Sequence, residues 1–249
     1  MLEVLWQADH LHAIAERRVT QLGISSGYTN PPVIYLRITM ELTENNLHYV
    51  LSWGQSELHR WLASASDHRN ECGKGDLAYQ VFEVMLKAVW GKPFLGACHD
   101  TSAIMYVMLT ELGQSAELCI GQVKTPSGRY LDHSWVEVDR KVIDAAISLP
   151  QIGGFLCSFP IFASIDLRSN DQMEHDYAYD DGKGFTDNAL ATYGVSLDEF
   201  TRLPGGSEHL WQIAANLMSE IGTAVDPADL AIKYGGHMRS VRIRMPKGR

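Results

Sequence analysis

Three side chains between Gly96 and Ile147 could together carry out nucleophilic catalysis. Cys98 lies in the stretch Gly-Ala-Cys-His-Asp, His133 in Leu-Asp-His-Ser-Trp-Val-Glu-Val, and Asp144 in Val-Ile-Asp-Ala-Ala-Ile. A cysteine nucleophile needs a base that accepts its proton and a third group that holds the base in one tautomer. The order of these three residues therefore predicts a Cys-His-Asp thiol triad.

The segment after Gly96 predicts a helix that starts at about Cys98, runs to Leu112 and ends at Gly113. Its apolar residues cover more than one face, which indicates a helix enclosed by other elements. The unpaired N–H groups and the positive end of the dipole at a helix N-terminus favour a thiolate and could stabilise an oxyanion. Taken alone, however, Cys98 is better explained as a small packed residue, because free cysteine is among the most buried residue types.

The following sequence predicts a β-hairpin, with strands at Ala116–Lys124 and Tyr130–Val138, and a third strand at Val142–Ile147. A tight turn at residues 139–140 joins the second and third strands. An aspartate inside an apolar strand is costly to bury without a partner. Asp144 therefore needs a partner in the neighbouring strand.

The length of that turn decides whether His133 is the partner. With a two-residue turn, Asp144 stands opposite Trp135, and His133 follows two positions along on the same face, roughly 7 Å away. A three-residue turn would place Asp144 on the other face of the sheet. The triad prediction is thus also a prediction of turn length.

Other residues are candidates for the surroundings of the site. The Cys98 N–H and the Gln80 side chain are predicted to form the oxyanion hole, with Tyr79 and Trp61 as alternatives to Gln80. Trp135 and His99 are predicted to line the substrate cleft. No metal is predicted, because His99 and the adjacent aspartate lack a third ligand nearby and no Cys-x-x-Cys pair occurs.

Flanking elements are predicted on both sides of this core. Upstream, the patterns favour helices at 2–22, 56–65 and 76–90 and a strand at 33–42, and residues 66–75 read as a loop. Downstream, a capping box at Ser196 opens a helix, and two further helices are predicted at 207–221 and from Asp226 to 235, followed by a strand at 238–245. The acidic stretch Ser169–Gly184 is predicted as a solvated loop or a lid over the cleft.

Composition limits the class of protein. The 249 residues are 45% hydrophobic and 20% charged, as in an ordinary folded protein, and the net charge of -9 argues against a nucleic-acid-binding surface. The C-terminal basic cluster is expected to be a solvated edge. The N-terminus lacks a basic leader and no apolar run is long enough to cross a membrane, so we expect a cytoplasmic protein with no membrane partner. Four scattered cysteines predict reduced thiols.

The motifs from Phe94 to Ile147, above all His-Ser-Trp-Val-Glu-Val, resemble the transglutaminase-like core of the papain-like cysteine enzymes. The resemblance implies that Cys98 is the nucleophile, His133 the general base and acid, and Asp144 the orienting carboxylate. It implies an α+β fold in which the nucleophile helix packs on an antiparallel sheet, with additional N- and C-terminal helices. We predict a single domain, 1–249, with the catalytic core motif at 94–147 and a C-terminal extension, 151–249, that shapes or covers the cleft.

The same resemblance implies a reaction more firmly than a substrate. Members attack an acyl carbonyl, form a thioester and pass the acyl group to water or an amine. We expect an amide-bond hydrolase, a protease or amidase rather than a cross-linking enzyme, that acts on a peptide or small amide without a cofactor. Two alternatives stay open: a catalytically idle peptide-binding domain, and an arylamine N-acetyltransferase-like acyltransferase, which the lack of a basic cofactor pocket disfavours. Oligomeric state and the acyl acceptor are left open.

Overall fold

The computed structural model describes residues 40–91, 97–156, 158–180, 182–204 and 206–243, which mix helices with several β-sheets. The α+β prediction is therefore confirmed. Within these residues the helices are α1 (Glu44–Asp67), α2 (Leu77–Gly91), α3 (Cys98–Glu111), α4 (Asp187–Tyr193), α5 (Leu197–Phe200), α6 (Leu210–Glu220) and α7 (Pro227–Tyr234). The strands are β1 (Met40–Glu41), β2 (Ala116–Lys124), β3 (Tyr130–Val138), β4 (Lys141–Ile143), β5 (Phe155–Leu156), β6 (Ile161–Phe162), β7 (Ile165–Asp166), β8 (Asp171–Gln172), β9 (Asp176–Tyr179) and β10 (Ser240–Arg242).

The helix predicted at 2–22 lies outside the described residues, as does most of the strand predicted at 33–42. Helix α1 is longer than the predicted 56–65 segment. It begins with a capping box between Thr43 and Asn46. Its buried positions, Val50, Gly54, Trp61 and Ala65, follow helical spacing along one face. Gly54 is needed there because a Cβ would lie 1.9 Å from the Trp90 ring.

Helix α3 is the central element of the fold. It starts at Cys98, as predicted, and every residue from Thr101 to Leu109 is buried. It packs against β2 and β3 on one side and against α2 and α6 on the others. Burial on all sides explains why its apolar residues are not confined to one stripe.

The main sheet has the strand order β10-β2-β3-β4, and β9 also pairs with β2. Strands β2 and β3 pair antiparallel along nine residues each, from Ala116 opposite Val138 to Lys124 opposite Tyr130, with the bounds predicted. Strand β10 runs parallel to β2. One sheet face joins the core around α3 through Leu118 and Val136. The other face carries a second apolar cluster that includes Cys119 and Trp135.

Three downstream predictions need correction in their bounds. The third strand stops at Ile143 instead of 147, since a 3-10 helix (Ala146–Ser148) follows. Helix α6 begins at Leu210 instead of 207, and the final strand covers only 240–242 of the described part. The capping box at Ser196 and the cap at Asp226 are confirmed.

The acidic stretch Ser169–Gly184 is more ordered than a solvated loop. It contains strands β8 and β9, and β9 is hydrogen-bonded to β2. Among the helices described, none combines the length and apolarity needed to span a membrane.

Candidate active site

The turn between β3 and β4 sets the register of the site. Val138 pairs with Lys141 and Val136 with Ile143, so the turn contains only Asp139 and Arg140. Both have positive φ, 53° and 64°, as a two-residue hairpin turn with matching twist requires. The Asp139 carboxylate accepts a hydrogen bond from the Gly73 N–H at 2.8 Å, which anchors the turn. The predicted turn length is therefore confirmed.

This register brings His133 and Asp144 into contact. His133 Nε2 lies 2.6 Å from Asp144 Oδ2, and both side chains are at least 97% buried, with exposed fractions of 3% and 2%. Because Nε2 bonds the carboxylate, Nδ1 is the ring nitrogen left for the thiol. The carboxylate thus fixes the tautomer and orientation of the imidazole, as an orienting residue in a triad does.

Asp144 is held by three further donors. The Tyr177 hydroxyl donates to Oδ2 at 2.8 Å, and the N–H groups of Ala146 and Ile147 each donate to Oδ1 at 3.1 Å. The Asp144 backbone exchanges two hydrogen bonds with Ile161, at 2.8 and 2.9 Å. The strand ends here because the side chain accepts hydrogen bonds from the N–H groups two and three residues further on and so turns the chain into the 3-10 helix.

Cys98 occupies the first position of α3. The Thr101 N–H makes the first intrahelical bond, to Ala97 at 2.9 Å, so the N–H groups of 98–100 have no intrahelical acceptor. Ala97, at the N-cap, has no side chain that could cap them. Cys98 is half-buried, and it lines a cleft together with His133.

The charges around the Cys98 thiol favour its ionised form. Burial alone would raise the pKa of Cys98, but electrostatic interactions and hydrogen bonds with the imidazoles of His99 and His133 hold it well below its usual value. Burial alone would likewise lower the pKa of His133, but the charges of Asp144 and Cys98 and hydrogen bonds to them raise it to about 10. Both shifts favour the thiolate–imidazolium form of the pair over the neutral thiol and imidazole.

His99 is a second imidazole beside the sulfur. Its Nδ1 lies 2.6 Å from the Oγ of Ser134, which is buried on β3 next to His133. Its ring meets the Phe200 ring edge-on, with centroids 6.4 Å apart. His99 therefore lines the cleft beside Cys98, and Ser134 and Phe200 hold its ring in place.

A buried cation, Arg239, supports the same end of α3. Its exposed fraction is 4%, its guanidinium lies 4.4 Å from the centre of the Phe200 ring, and one nitrogen donates to the His99 carbonyl at 3.1 Å. Burial lowers the pKa of Arg239 to about 10, against the opposing charges of Cys98 and Asp100, so it stays cationic at neutral pH. Asp100 in turn accepts the Ser207 N–H at 3.0 Å.

The cleft has a volume of about 670 Å³, a size suited to a small ligand or a few residues of a peptide. Its walls come from the beginning of β3, from the segment 146–155, and from the start of α4. Its lining includes Cys98, His99 and His133. Apolar surface is supplied by Leu131, Ile147, Leu149 and Phe155.

Two predicted residues do not reach the cleft in the described part of the structure. Gln80 is half-buried on α2 and is not among the cleft residues. Trp135 is fully buried in the cluster on the far face of the sheet, where its Nε1 donates to Glu137 at 3.0 Å and its ring packs against Tyr177. Trp135 was expected in the cleft because it shares a face with His133, but the Tyr177 ring lies against it.

Sequence reasoning missed Tyr177, Ser134 and Arg239. Tyr177 comes from a stretch with many Asp and Tyr residues, and Arg239 from a terminal basic cluster. Neither segment carries a pattern that reveals which member turns inward. Ser134, adjacent to His133, could have been suspected from strand alternation, since neighbours in a strand face opposite sides of a sheet.

One group of residues in the described structure has the chemistry of a metal site. Ligand atoms of Glu117, Cys119 and Glu137 lie within 4.8 Å of one another. The Arg242 guanidinium forms ion pairs with both carboxylates and so provides the cation there.

Comparison with known proteins identifies no relative: no family model matches the sequence, and no curated protein or solved structure matches it either.

Proposed function

We propose that this chain is a thiol acyl-transfer enzyme of transglutaminase-like type that hydrolyses an amide bond. The observation that carries the proposal is the contact of His133 with Asp144 at 2.6 Å in the cleft that also holds Cys98. A buried imidazole oriented by a carboxylate beside a thiol of low pKa is what nucleophilic catalysis by cysteine requires. The nucleophile helix on an antiparallel sheet is compatible with a papain-like core.

In the first half-reaction, the Cys98 thiolate attacks the carbonyl carbon of the amide, and a carbon–sulfur bond forms as the carbonyl oxygen becomes an oxyanion. The Cys98 N–H, at the positive end of α3, is positioned to donate to that oxygen. The carbon–nitrogen bond then breaks, and the imidazolium of His133 gives its proton to the leaving amine. A thioester on Cys98 and a free amine result.

In the second half-reaction, neutral His133 removes a proton from a water molecule, which attacks the thioester carbon. The carbon–sulfur bond breaks, the carboxylic acid leaves, and the thiolate–imidazolium pair is restored. Asp144 keeps the same ring nitrogen protonated throughout, because its other three donors hold the carboxylate still. An amine in place of water would make the same intermediate a transferase.

The acyl-enzyme can be tested without knowledge of the substrate. We expect 4-nitrophenyl acetate to release a burst of one nitrophenolate per chain, with an acetyl group located on the Cys98 peptide by mass spectrometry. The acetyl group should then disappear as water hydrolyses the thioester. Cys98→Ser should abolish the burst, and Cys119→Ser should leave it unchanged.

Two outcomes would contradict the proposal. If no acetyl group is found on Cys98, the chain is better explained as a binding domain that keeps the fold. If the acetyl group forms but persists, the second half-reaction with water fails. If the acetyl group both forms on Cys98 and is hydrolysed, a library of peptide amides would identify the amide that is cleaved.

A further inference from the structure

Arg129 is the single arginine or lysine among the described residues that line the cleft. Its guanidinium lies 3.7 Å from the centre of the Phe155 ring, which lines the cleft as well. A guanidinium stacked flat on an aromatic ring keeps its N–H groups at the edge, where they can bind a carboxylate in a bidentate manner.

The backbone holds Arg129 in place. Its N–H donates to Thr125 Oγ1 at 3.2 Å, and its carbonyl accepts from the Thr125 N–H at 2.8 Å. These bonds close the turn between β2 and β3. The cation is therefore presented from a structured turn, which lowers the entropy lost when a ligand binds.

No acid that lines the described cleft forms an ion pair with Arg129. The acidic lining residue is Asp132, and its carboxylate is engaged elsewhere: Oδ2 accepts from the Thr186 N–H at 2.7 Å and Oδ1 from Gln122 Nε2 at 3.3 Å. Arg129 itself forms no ion pair within the described residues. Arg129 therefore has no carboxylate partner among the described residues, and a ligand carboxylate can take that place.

We infer that the proposed enzyme acts on amides that carry a carboxylate, which Arg129 binds while apolar substrate groups pack on Phe155 and Leu149. This inference rests on the proposed function and names the substrate class of the same site. The carboxylate can belong to an acidic side chain or to a chain terminus.

Alkylating probes test the inference independently of turnover. The probes are iodoacetyl derivatives of glycine, β-alanine, 4-aminobutyrate and 6-aminohexanoate, each as the free acid and as the neutral amide. The Cys98 thiolate displaces iodide from the methylene carbon, so the rate reports how well each probe occupies the cleft. The quantity measured is the ratio of acid to amide rates at Cys98, for each spacer length.

We expect an acid preference at the spacer length that reaches Arg129, and we expect Arg129→Gln to reduce it about fivefold, as for an accessible charge-assisted pair. Arg129→Lys should restore part of it, since the charge remains but the planar fork is lost. Arg168→Gln is the matched control, because Arg168 also lies on a phenylalanine ring, that of Phe159 at 4.5 Å, but does not line the cleft. Its ratios should equal those of the unaltered chain.

Equal ratios in Arg129→Gln and the unaltered chain at every spacer length would overturn the inference while leaving the proposed function intact. An equal fall in Arg168→Gln would also overturn it, because the effect would then come from overall charge. If Cys98 reacts with none of the probes faster than the other thiols, the proposed function fails, and the inference fails with it.

Discussion

The first turn of α3 and the middle of β2 each hold a thiol, and the charges around the two thiols have opposite signs. Cys98 has two imidazoles and a buried guanidinium near it, and its pKa is lowered. Cys119 is fully buried between Glu117 and Glu137, and burial together with those two carboxylates raises its pKa despite Arg242. Both thiols lose solvent, so burial alone does not separate a reactive cysteine from an inert one.

The backbone adds to the same contrast. At Cys98 the helix presents unpaired N–H groups, whereas at Cys119 both neighbouring strands use the backbone groups of β2. A thiolate at a helix N-terminus is stabilised by those donors, and a thiolate within a sheet has none to use. The stability of a thiolate therefore depends on where the cysteine lies in its helix or strand as well as on the neighbouring side chains.

The largest effect is expected from His133→Gln. It removes the cation beside Cys98 and the proton donor for the leaving amine, so acyl transfer should fall by about 10⁴-fold. In the unaltered chain, kcat/KM should rise with pH through the lowered pKa of Cys98 and fall through the pKa of His133, about 10. The variant should lose the alkaline fall in the profile.

Asp144→Asn should have the next largest effect. An amide at this position cannot accept from His133 as a carboxylate does and stabilises the wrong tautomer, so acyl transfer should fall by about 10³-fold or more. Because the group is buried with four donors around it, the free energy of unfolding should fall by about 2–4 kcal/mol. Kinetics and urea denaturation check the two parts.

Asp166→Asn serves as the control, since that carboxylate also accepts two backbone hydrogen bonds, from Arg168 and Ser169, but neither lines the cleft nor contacts His133. A rate loss in Asp166→Asn equal to that in Asp144→Asn would mean that the contact between His133 and Asp144 has no special role.

The contact between His133 and Asp144 could be predicted from the sequence, but the residues that surround it could not. The spacing of His133 and Asp144 was sufficient, because a two-residue turn and strand alternation fix their relation by local geometry. Tyr177 lies on β9 and Arg239 just before β10, and both are distant in sequence from Cys98, His133 and Asp144. No local period encodes that approach, since it depends on how separate segments pack.

The oxyanion donor and Trp135 show the same limit. Gln80 could face the site only if α2 packs beside α3. The two helices do pack together, but the rotation of α2 about its own axis, which decides where Gln80 points, is set by tertiary packing. Trp135 shares the strand parity of His133 and still does not line the cleft, because the Tyr177 side chain packs against it.

Tyr177→Phe should have a smaller effect than either dyad variant. Loss of one of four donors to Asp144 should lower the free energy of unfolding by about 1–2 kcal/mol and acyl transfer by less than about tenfold. Thermal denaturation and steady-state kinetics measure both. Tyr234→Phe is the control, because Tyr234 is as buried as Tyr177 and also donates to a carboxylate, that of Glu111 at 2.7 Å, but does not line the cleft. A larger rate loss in the control would contradict this role.

The smallest effect is expected from His99→Gln. Glutamine can still reach Ser134 but carries no charge, so the thiolate loses one stabilising neighbour while keeping His133. The alkylation rate of Cys98 by iodoacetamide at about pH 6 should fall about threefold, as for one partly screened charge. An unchanged rate would show that His133 alone sets the thiol pKa.

The comparison of the two thiols is tested most directly by competitive labelling. The folded chain is treated with a limiting amount of iodoacetamide at about pH 6, and peptide mass spectrometry measures the alkylated fraction of Cys72, Cys98 and Cys119. We expect label on Cys98, because burial raises the pKa of Cys72 to about 12 and the pKa of Cys119 is raised as well. His133→Gln should sharply reduce the labelling of Cys98. Equal labelling of the three thiols, or an unchanged Cys98 rate in His133→Gln, would contradict the account.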